Sequence, residues 1–217
     1  MQVSRRDFFK KLLGLENKKT DRNPNRPKKG DIIKVSPIRS KEHIEAIKNL
    51  LESNPRDLAI FTIGINSALR ASDILRITLG NVEGLKVGES FSIREKKTQK
   101  IRRVVLNEAS HAAIQKYLKV RRPTRPDVPL FLSRIGKNRS ITVSYLNNLV
   151  KRWGRKVGIK DNLGSHTLRK TWAYQNRQAG VPMPILMVAL NHSSQFQTLA
   201  YLGIEQEELT DAFLNVI

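Results

Sequence analysis

Near the C-terminus of the chain, His166-Thr167-Leu168-Arg169 is followed by Asn191-His192 and, nine residues beyond that histidine, by Tyr201. An imidazole and a guanidinium three residues apart share one face of a helix, so both can address the same group. The group they suit is a phosphodiester in flight, whose non-bridging oxygens carry charge that such donors meet in a fixed geometry. A tyrosine beside them is a candidate nucleophile. On spacing alone, a His-x-x-Arg pair also fits an ordinary surface or helix-start pair, and the rest of the chain decides between the two.

The composition favours a polyanion. Among 217 residues, 40 Lys and Arg face 19 Asp and Glu, a net charge of +21 spread along the whole sequence. Such a field attracts nucleic acid and makes the binding salt-dependent. With 39% hydrophobic residues there is enough apolar chain for one sizeable core. There is no cysteine, and the four histidines are scattered, so a disulfide framework and a thiolate zinc site are excluded and metal catalysis is disfavoured. Ser4-Arg5-Arg6-Asp7-Phe8-Phe9-Lys10 imitates a twin-arginine export signal, but the apolar run after it breaks off too soon. The expectation is a cytoplasmic protein without a membrane span.

The elements that position these residues can be read in order. Residues 1–35 carry eleven Lys and Arg against four Asp and Glu, with Pro24 and Pro27, and predict a largely flexible basic arm. Ser40 caps a helix with Ile44, Ile47, Leu50 and Leu51 on one face, and Asn54-Pro55 starts a second with Leu58, Phe61, Ile65 and Leu69. Arg70 ends that apolar stretch and requires a partner. Asp73, at the head of a helix predicted over Ile74–Leu79, is the local candidate.

Three β-like runs follow: Gly84–Val87, Ser90–Arg94 and Ile101–Leu106. The polar joint Glu95-Lys96-Lys97-Thr98-Gln99-Lys100 makes the last two a hairpin. Either its lysines, Lys96, Lys97 and Lys100, sit in a solvated turn that touches phosphates, or one of them enters the reaction site. Helices are predicted from Glu108 to Val120, from Ser144 to near Gly158, from His166 to Gln178, and over a short segment bearing Tyr201. The basic turn around Arg139 and the polar face of the Ser144 helix, with Lys151 and Arg155, are candidate DNA contacts.

Taken together, Ala68-Leu69-Arg70, Lys96-Lys97-Thr98, His166-Thr167-Leu168-Arg169, Leu190-Asn191-His192 and Tyr201 resemble the tyrosine recombinases, or phage integrases. That family's set of Arg, Lys, His-x-x-Arg, His or Trp, and Tyr occurs here in order over residues 36–217. The resemblance implies an α+β, mainly helical catalytic domain with a small antiparallel three-stranded sheet. It implies double-stranded DNA as substrate, no cofactor, and a covalent 3′-phosphotyrosyl intermediate in integration or excision of a mobile element.

The roles follow the same way. Tyr201 attacks, His166 takes its proton, and Arg70 and Arg169 neutralise the phosphate. His192 hydrogen-bonds the phosphate, Lys97, which matches the family's Lys-Thr-Gly turn better than the alternatives Lys96 and Lys100, protonates the leaving 5′-oxygen, and Asp73 fixes Arg70. Two departures are visible: Asn191 stands where Leu-Gly-His is common, and nothing the size of a core-binding domain precedes Ser36. The former looks like the variant found in short stand-alone integrases, so one lacking the usual core-binding domain is the expectation. A DNA-binding regulator that keeps the fold without catalysis, and a type IB-like relaxing topoisomerase, are the alternatives.

Finally, Leu209, Ala212, Phe213, Val216 and Ile217 form a helical stripe behind Glu205, Glu207, Glu208 and Asp211. A helix over 205–217 would pack on its own domain or dock on a neighbouring protomer. Docking would support a tetrameric synapse on DNA.

Overall fold

The computed structural model describes residues 34–121, 125–135 and 138–202. Of the two units into which the chain divides, 1–34 and 35–217, the described residues fall almost wholly in the second. The arm expected over 1–35 lies outside them up to residue 33, and the helix expected over 205–217 lies outside them entirely.

Helix α1 (Lys41–Leu50) begins where expected, with the Ser40 hydroxyl accepting from His43 N at 3.0 Å. Helix α2 (Pro55–Asn66) starts at the Asn54 cap, and almost every side chain from Asp57 to Gly64 is buried. It is therefore the central helix. Burying each large aliphatic or aromatic side chain contributes roughly 1.5–3 kcal/mol, so Leu58, Ile60, Phe61 and Ile63 make it the main anchor. Phe61 meets Trp153 edge-on, ring centroids 6.0 Å apart.

Two expectations fail in the next stretch. No helix runs over Ile74–Leu79; instead there are single-turn helices α3 (Ala71–Ile74) and α4 (Leu79–Val82). Between them the backbone is drawn away to bond the segment 126–130, with Leu130 N donating to Ile77 O and Leu79 N to Val128 O. The run Gly84–Val87 is also not a strand. Gly84 and Gly88 both take positive φ, and the Glu89 carboxylate accepts from Lys86 N at 2.8 Å, which curls the segment into turns.

The sheet among the described residues is accordingly a two-stranded antiparallel hairpin, β1 (Ser90–Arg94) and β2 (Ile101–Val105). Phe91 and Ile93 face inward as their alternation predicts. A mainly helical domain with a small antiparallel sheet is the architecture that the sequence implies.

Helices α5 (Glu108–Arg121), α6 (Val143–Lys156), α7 (Thr167–Gln178), α8 (Met183–Leu190) and α9 (Gln195–Leu202) complete the domain. Helix α6 opens one residue before Ser144, because Thr142 supplies the cap, accepting from Tyr145 N at 3.1 Å. No described helix is long and apolar enough to cross a membrane.

Helix α7 is held from several sides. The Thr171 hydroxyl accepts from Ile38 N, Gln175 donates to Arg39 O, and the Asn147 side chain accepts from Ser165 N just before the helix. It packs on α2 at Gly64, where a Cβ would stand 2.6 Å from Leu168 Cδ1 and 2.9 Å from its Cβ. Leu168 lies between His166 and Arg169, so this contact sets their position. Gly64→Ala is expected to lower stability by about 1–3 kcal/mol, the usual cost of overpacking, measured by thermal or denaturant unfolding. An unchanged midpoint would show that α7 can move off α2 freely.

A second, smaller apolar cluster, Ala68, Ala173, Leu186, Leu190 and Leu202, gathers α7, α8 and α9. Tyr201, Trp172, Val181 and Met183 pack against it.

Candidate active site

Arg169 is 3% exposed, on the first turn of α7. Its guanidinium is held by carbonyls rather than by a carboxylate: Nη1 donates to Ala68 O at 2.6 Å and Nη2 to Leu190 O. Both acceptors sit beside residues with left-handed backbone or carry it themselves. Ala68 has φ +51, and Asn191, which ends α8, has φ +50. A non-glycine residue held there costs of order 1 kcal/mol or more and persists only when its surroundings fix it. Asparagine tolerates this conformation better than most residues, which explains how Asn191 fills a position where the resemblance leads one to expect glycine.

Burial brings the Arg169 pKa down to about 10, with the nearby Tyr201 opposing and the Arg70 and Arg102 charges adding to the fall. The group stays cationic at neutral pH. Tyr201 is pushed the other way. Its burial raises the phenol to about 12 although Arg169 and Arg70 favour the phenolate. The hydroxyl is buried without a hydrogen-bond partner among the described residues.

His192 lies edge-on to the Tyr201 ring, centroids 5.2 Å apart, and its Nδ1 is 3.0 Å from the buried Thr198 hydroxyl. Lys170 Nζ lies over the same phenol ring at 5.2 Å from its centroid. His166 caps α7 with its side chain still reaching solvent. Partial desolvation, and then the charges of Arg169, Arg70, Lys170 and Lys97, lower its pKa below the ordinary 6.5. Desolvation followed by Arg169 and Arg70 lowers that of His192. Both imidazoles are thus kept neutral near pH 7 in a cationic setting.

Arg70 has a different partner from the one expected. Its Nη1 lies 2.7 Å from Glu95 Oε2, and no Arg70–Asp73 ion pair forms among the described residues. Asp73, fully buried, turns its carboxylate to the hairpin, where Oδ1 accepts from Lys96 N at 2.9 Å. The local spacing misled because the β1–β2 turn folds over α3 and brings a second carboxylate closer to Arg70. Lys96, Lys97 and Lys100 are exposed on that turn. Lys100 Nζ reaches Asn191 Oδ1 at 3.5 Å, and Lys97 is the hairpin lysine whose charge acts on His166.

From five separate segments, Arg70 and Arg169 thus act on His166, His192 and Tyr201, while Lys97 acts on His166. Arg139, Lys151 and Arg155 are placed elsewhere. Arg139 lines a cavity of about 480 Å³ with Arg56, Arg134 and Tyr145 at the start of α6. Lys151 and Arg155 line one of about 270 Å³ with Lys160 at its end. Sequence reasoning missed Glu95, Arg102, Lys170 and Thr198. Of these, only Lys170 carried a signal, being next to Arg169.

Chemically, the arrangement offers two guanidinium groups that act on a buried phenol, one imidazole edge-on to it, and a second imidazole in the field of the same guanidinium groups. Comparison with known proteins points the same way. The profile of the phage integrase family matches residues 38–208. The probable integrase/recombinase YoeC of Bacillus subtilis is 33% identical over 180 residues, which is 82% of this chain and 95% of that protein. The tyrosine recombinase XerC of Thermodesulfovibrio yellowstonii is 26% identical over 165 residues, 73% of this chain but 53% of the relative, so the chain spans only about half of that longer protein. Among solved structures, XerA recombinase superposes with a TM-score of 0.68 at 21% identity, covering 83% of this chain and 65% of that one. XerH site-specific recombinase bound to its palindromic difH substrate gives 0.67 at 21%, covering 87% and 55%. At such identity these two structures establish the fold.

Proposed function

Because the chain belongs to the phage integrase family, we propose that it is a site-specific DNA recombinase that cleaves and rejoins strands through a covalent 3′-phosphotyrosyl intermediate. The observation that carries this reading is that Arg70 and Arg169 act on the buried phenol of Tyr201, with His192 edge-on to its ring and His166 in the field of the same two guanidinium groups.

Tyr201 attacks the phosphorus in line, and the 5′-oxygen leaves. One phosphodiester replaces another, so a 5′-hydroxyl from a second strand reverses the step and no cofactor is required. Arg70 and Arg169 hold the non-bridging oxygens, a task for planar donors that stay charged. His192 adds a hydrogen bond to the phosphate. Lys97 delivers the proton to the leaving oxygen, and His166 takes the one from Tyr201. With its pKa at about 12, the phenol is protonated at neutral pH, so a base is needed.

His166 can be that base because its pKa is lowered, and the sign of the pH dependence follows. The neutral imidazole is the active form, so the rate falls as pH drops through its folded pKa. With protein in excess of DNA but below saturation, single-turnover cleavage is expected to rise with pH along an acid limb whose midpoint lies below 6.5. His166→Gln should lose that limb. A midpoint above 7, or a limb unchanged in the variant, would remove His166 from the role.

The DNA contacts extend this reading. Lys96 and Lys100 on the hairpin, with Arg139, Lys151 and Arg155 around α6, lie on exposed or partly exposed surface and would neutralise phosphates. The segment 1–35 acts as a basic arm, and residues 36–217 as the catalytic domain. Deleting it should weaken binding and flatten the slope of log affinity against log salt, and an unchanged slope would show that it does not follow the DNA backbone. On DNA the protein self-associates through the segment 205–217, toward a tetrameric synapse. Light scattering of the protein with and without site DNA, using Leu209→Ala/Phe213→Ala, tests this, since an assembly unaffected by the double variant would contradict it.

Supercoiled plasmid with and without paired attachment sites tests the function itself. Site-dependent exchange of strands is expected. Relaxation without site pairing would indicate a topoisomerase, and binding with no strand breakage a regulator.

A further inference from the structure

We propose that Glu95 is a positioning residue that locks Arg70 and the Lys97 hairpin into one arrangement, so that both reach the same phosphate together. The inference rests on the recombinase reading above and names a residue that this reading did not require.

A carboxylate in a turn of the pattern Glu-Lys-Lys-Thr-Gln-Lys would ordinarily point into water. Glu95 instead is 1% exposed. Its Oε2 takes the Arg70 guanidinium at 2.7 Å and the Thr98 hydroxyl at 2.6 Å, while Oε1 accepts from Arg102 Nη1 at 3.0 Å. Its backbone closes the turn as well, Glu95 N donating to Lys100 O and Gln99 N donating to Glu95 O. The three residues between Glu95 and Gln99 are therefore clamped from both ends, and Lys97 is the middle one.

The other side of the clamp reaches further. Arg102, held by Glu95, also donates to Ala189 O on α8. The next carbonyl along, that of Leu190, receives Arg169. One carboxylate thus ties the segment after α2, the hairpin and the end of α8, which carry Arg70, Lys97 and the support of Arg169.

Charge explains why a carboxylate stands there. A single negative charge between two guanidinium groups fixes their planes yet leaves the pair with net positive charge for a phosphate. Burial alone would raise the Glu95 carboxyl, but the Thr98 hydroxyl and the Arg70 and Arg102 guanidinium groups outweigh it and hold it at about 2. It is ionised throughout the working range. Removing it leaves two cations facing each other in a buried place, which drives Arg70 out of position.

The test uses the full chain, Glu95→Gln and Glu95→Ala, and suicide substrates with either an ordinary or a 5′-bridging phosphorothiolate scissile bond. Glu95→Gln keeps the volume and an oxygen for Thr98 but loses the charge between two guanidinium groups, so its thermal midpoint should fall, and cleavage is compared at a temperature where both proteins are fully folded. The variant's affinity for DNA should be equal or tighter, because an acidic charge has gone. Single-turnover cleavage at saturating protein should nevertheless fall about 10–100-fold, the scale of misplacing a reacting group by an ångström or less. The phosphorothiolate, whose leaving group needs no proton, should restore only part of that loss, because Arg70 remains displaced.

Cleavage by Glu95→Gln within about twofold of the parent would overturn the proposal. So would a deficit in either variant that merely follows lost affinity or lost folded fraction. Full rescue by the phosphorothiolate would confine Glu95 to the lysine and overturn the joint role. A parent protein that forms no adduct at all would remove the recombinase reading, and the Glu95 role with it; an active parent with an active Glu95→Gln removes the Glu95 role alone.

Discussion

Tyr201→Phe is expected to abolish covalent capture of DNA while leaving fold and site binding intact. The phenol hydroxyl is buried and donates to no partner among the described residues, and the Arg169 guanidinium beside it keeps its bonds to Ala68 O and Leu190 O without it. The ring itself, packed on the Leu186 cluster and beside His192, is unchanged by the substitution. The thermal midpoint should therefore move little. What disappears is the only atom able to attack, so strand cleavage should fall to background on a substrate nicked near the cleavage point. Equal trapping of the phenylalanine variant would mean that another residue attacks.

The second large effect falls on the hairpin. Lys97→Ala is expected to slow cleavage about 10²–10⁴-fold, the usual cost of losing a general acid. Lys96→Ala and Lys100→Ala should mainly weaken binding, as phosphate contacts do. The geometry separates the three: Lys96 is pinned through its backbone to Asp73, Lys100 leans on Asn191, and Lys97 is the one whose charge reaches His166. A 5′-bridging phosphorothiolate should rescue Lys97→Ala selectively. Rescue of Lys96→Ala instead would move the role to its neighbour.

Much of this site could be read before any coordinate was known, because it is built from residue types whose order along the chain is itself informative. Arg70, His166, Arg169, His192 and Tyr201 each stand at the end of a helix or next to one, and helix ends leave local signals such as Asn54-Pro55 and Gly180-Val181-Pro182. Glu95 left none. Its burial follows from the hairpin folding over α3, a long-range event that a five-residue window describes only as a polar turn. The same event explains the Asp73 error, since Asp73 is near Arg70 in sequence but Glu95 is nearer in space.

The strained carbonyl at Ala68 is equally silent. An alanine after a serine says nothing of φ +51, and its conformation is set by the buried guanidinium it receives. The strand expected over Gly84–Val87 failed for a local reason that was visible: glycines at 84 and 88 allow turns where a strand needs extended backbone.

The chain has four tyrosines, and three have other surroundings. Tyr117 stacks on Phe131, Tyr145 lies beside Arg56 on an exposed face, and Tyr174 is beside Arg39. The most direct measurement is therefore to trap the full-length protein on a nicked suicide substrate, digest the adduct, and sequence the peptide left on the DNA by mass spectrometry. The account predicts a single peptide containing Tyr201, joined to the 3′-phosphate of the cleaved strand. A linkage to any other residue, a linkage to the 5′ end, or cleavage without a covalent peptide would contradict it.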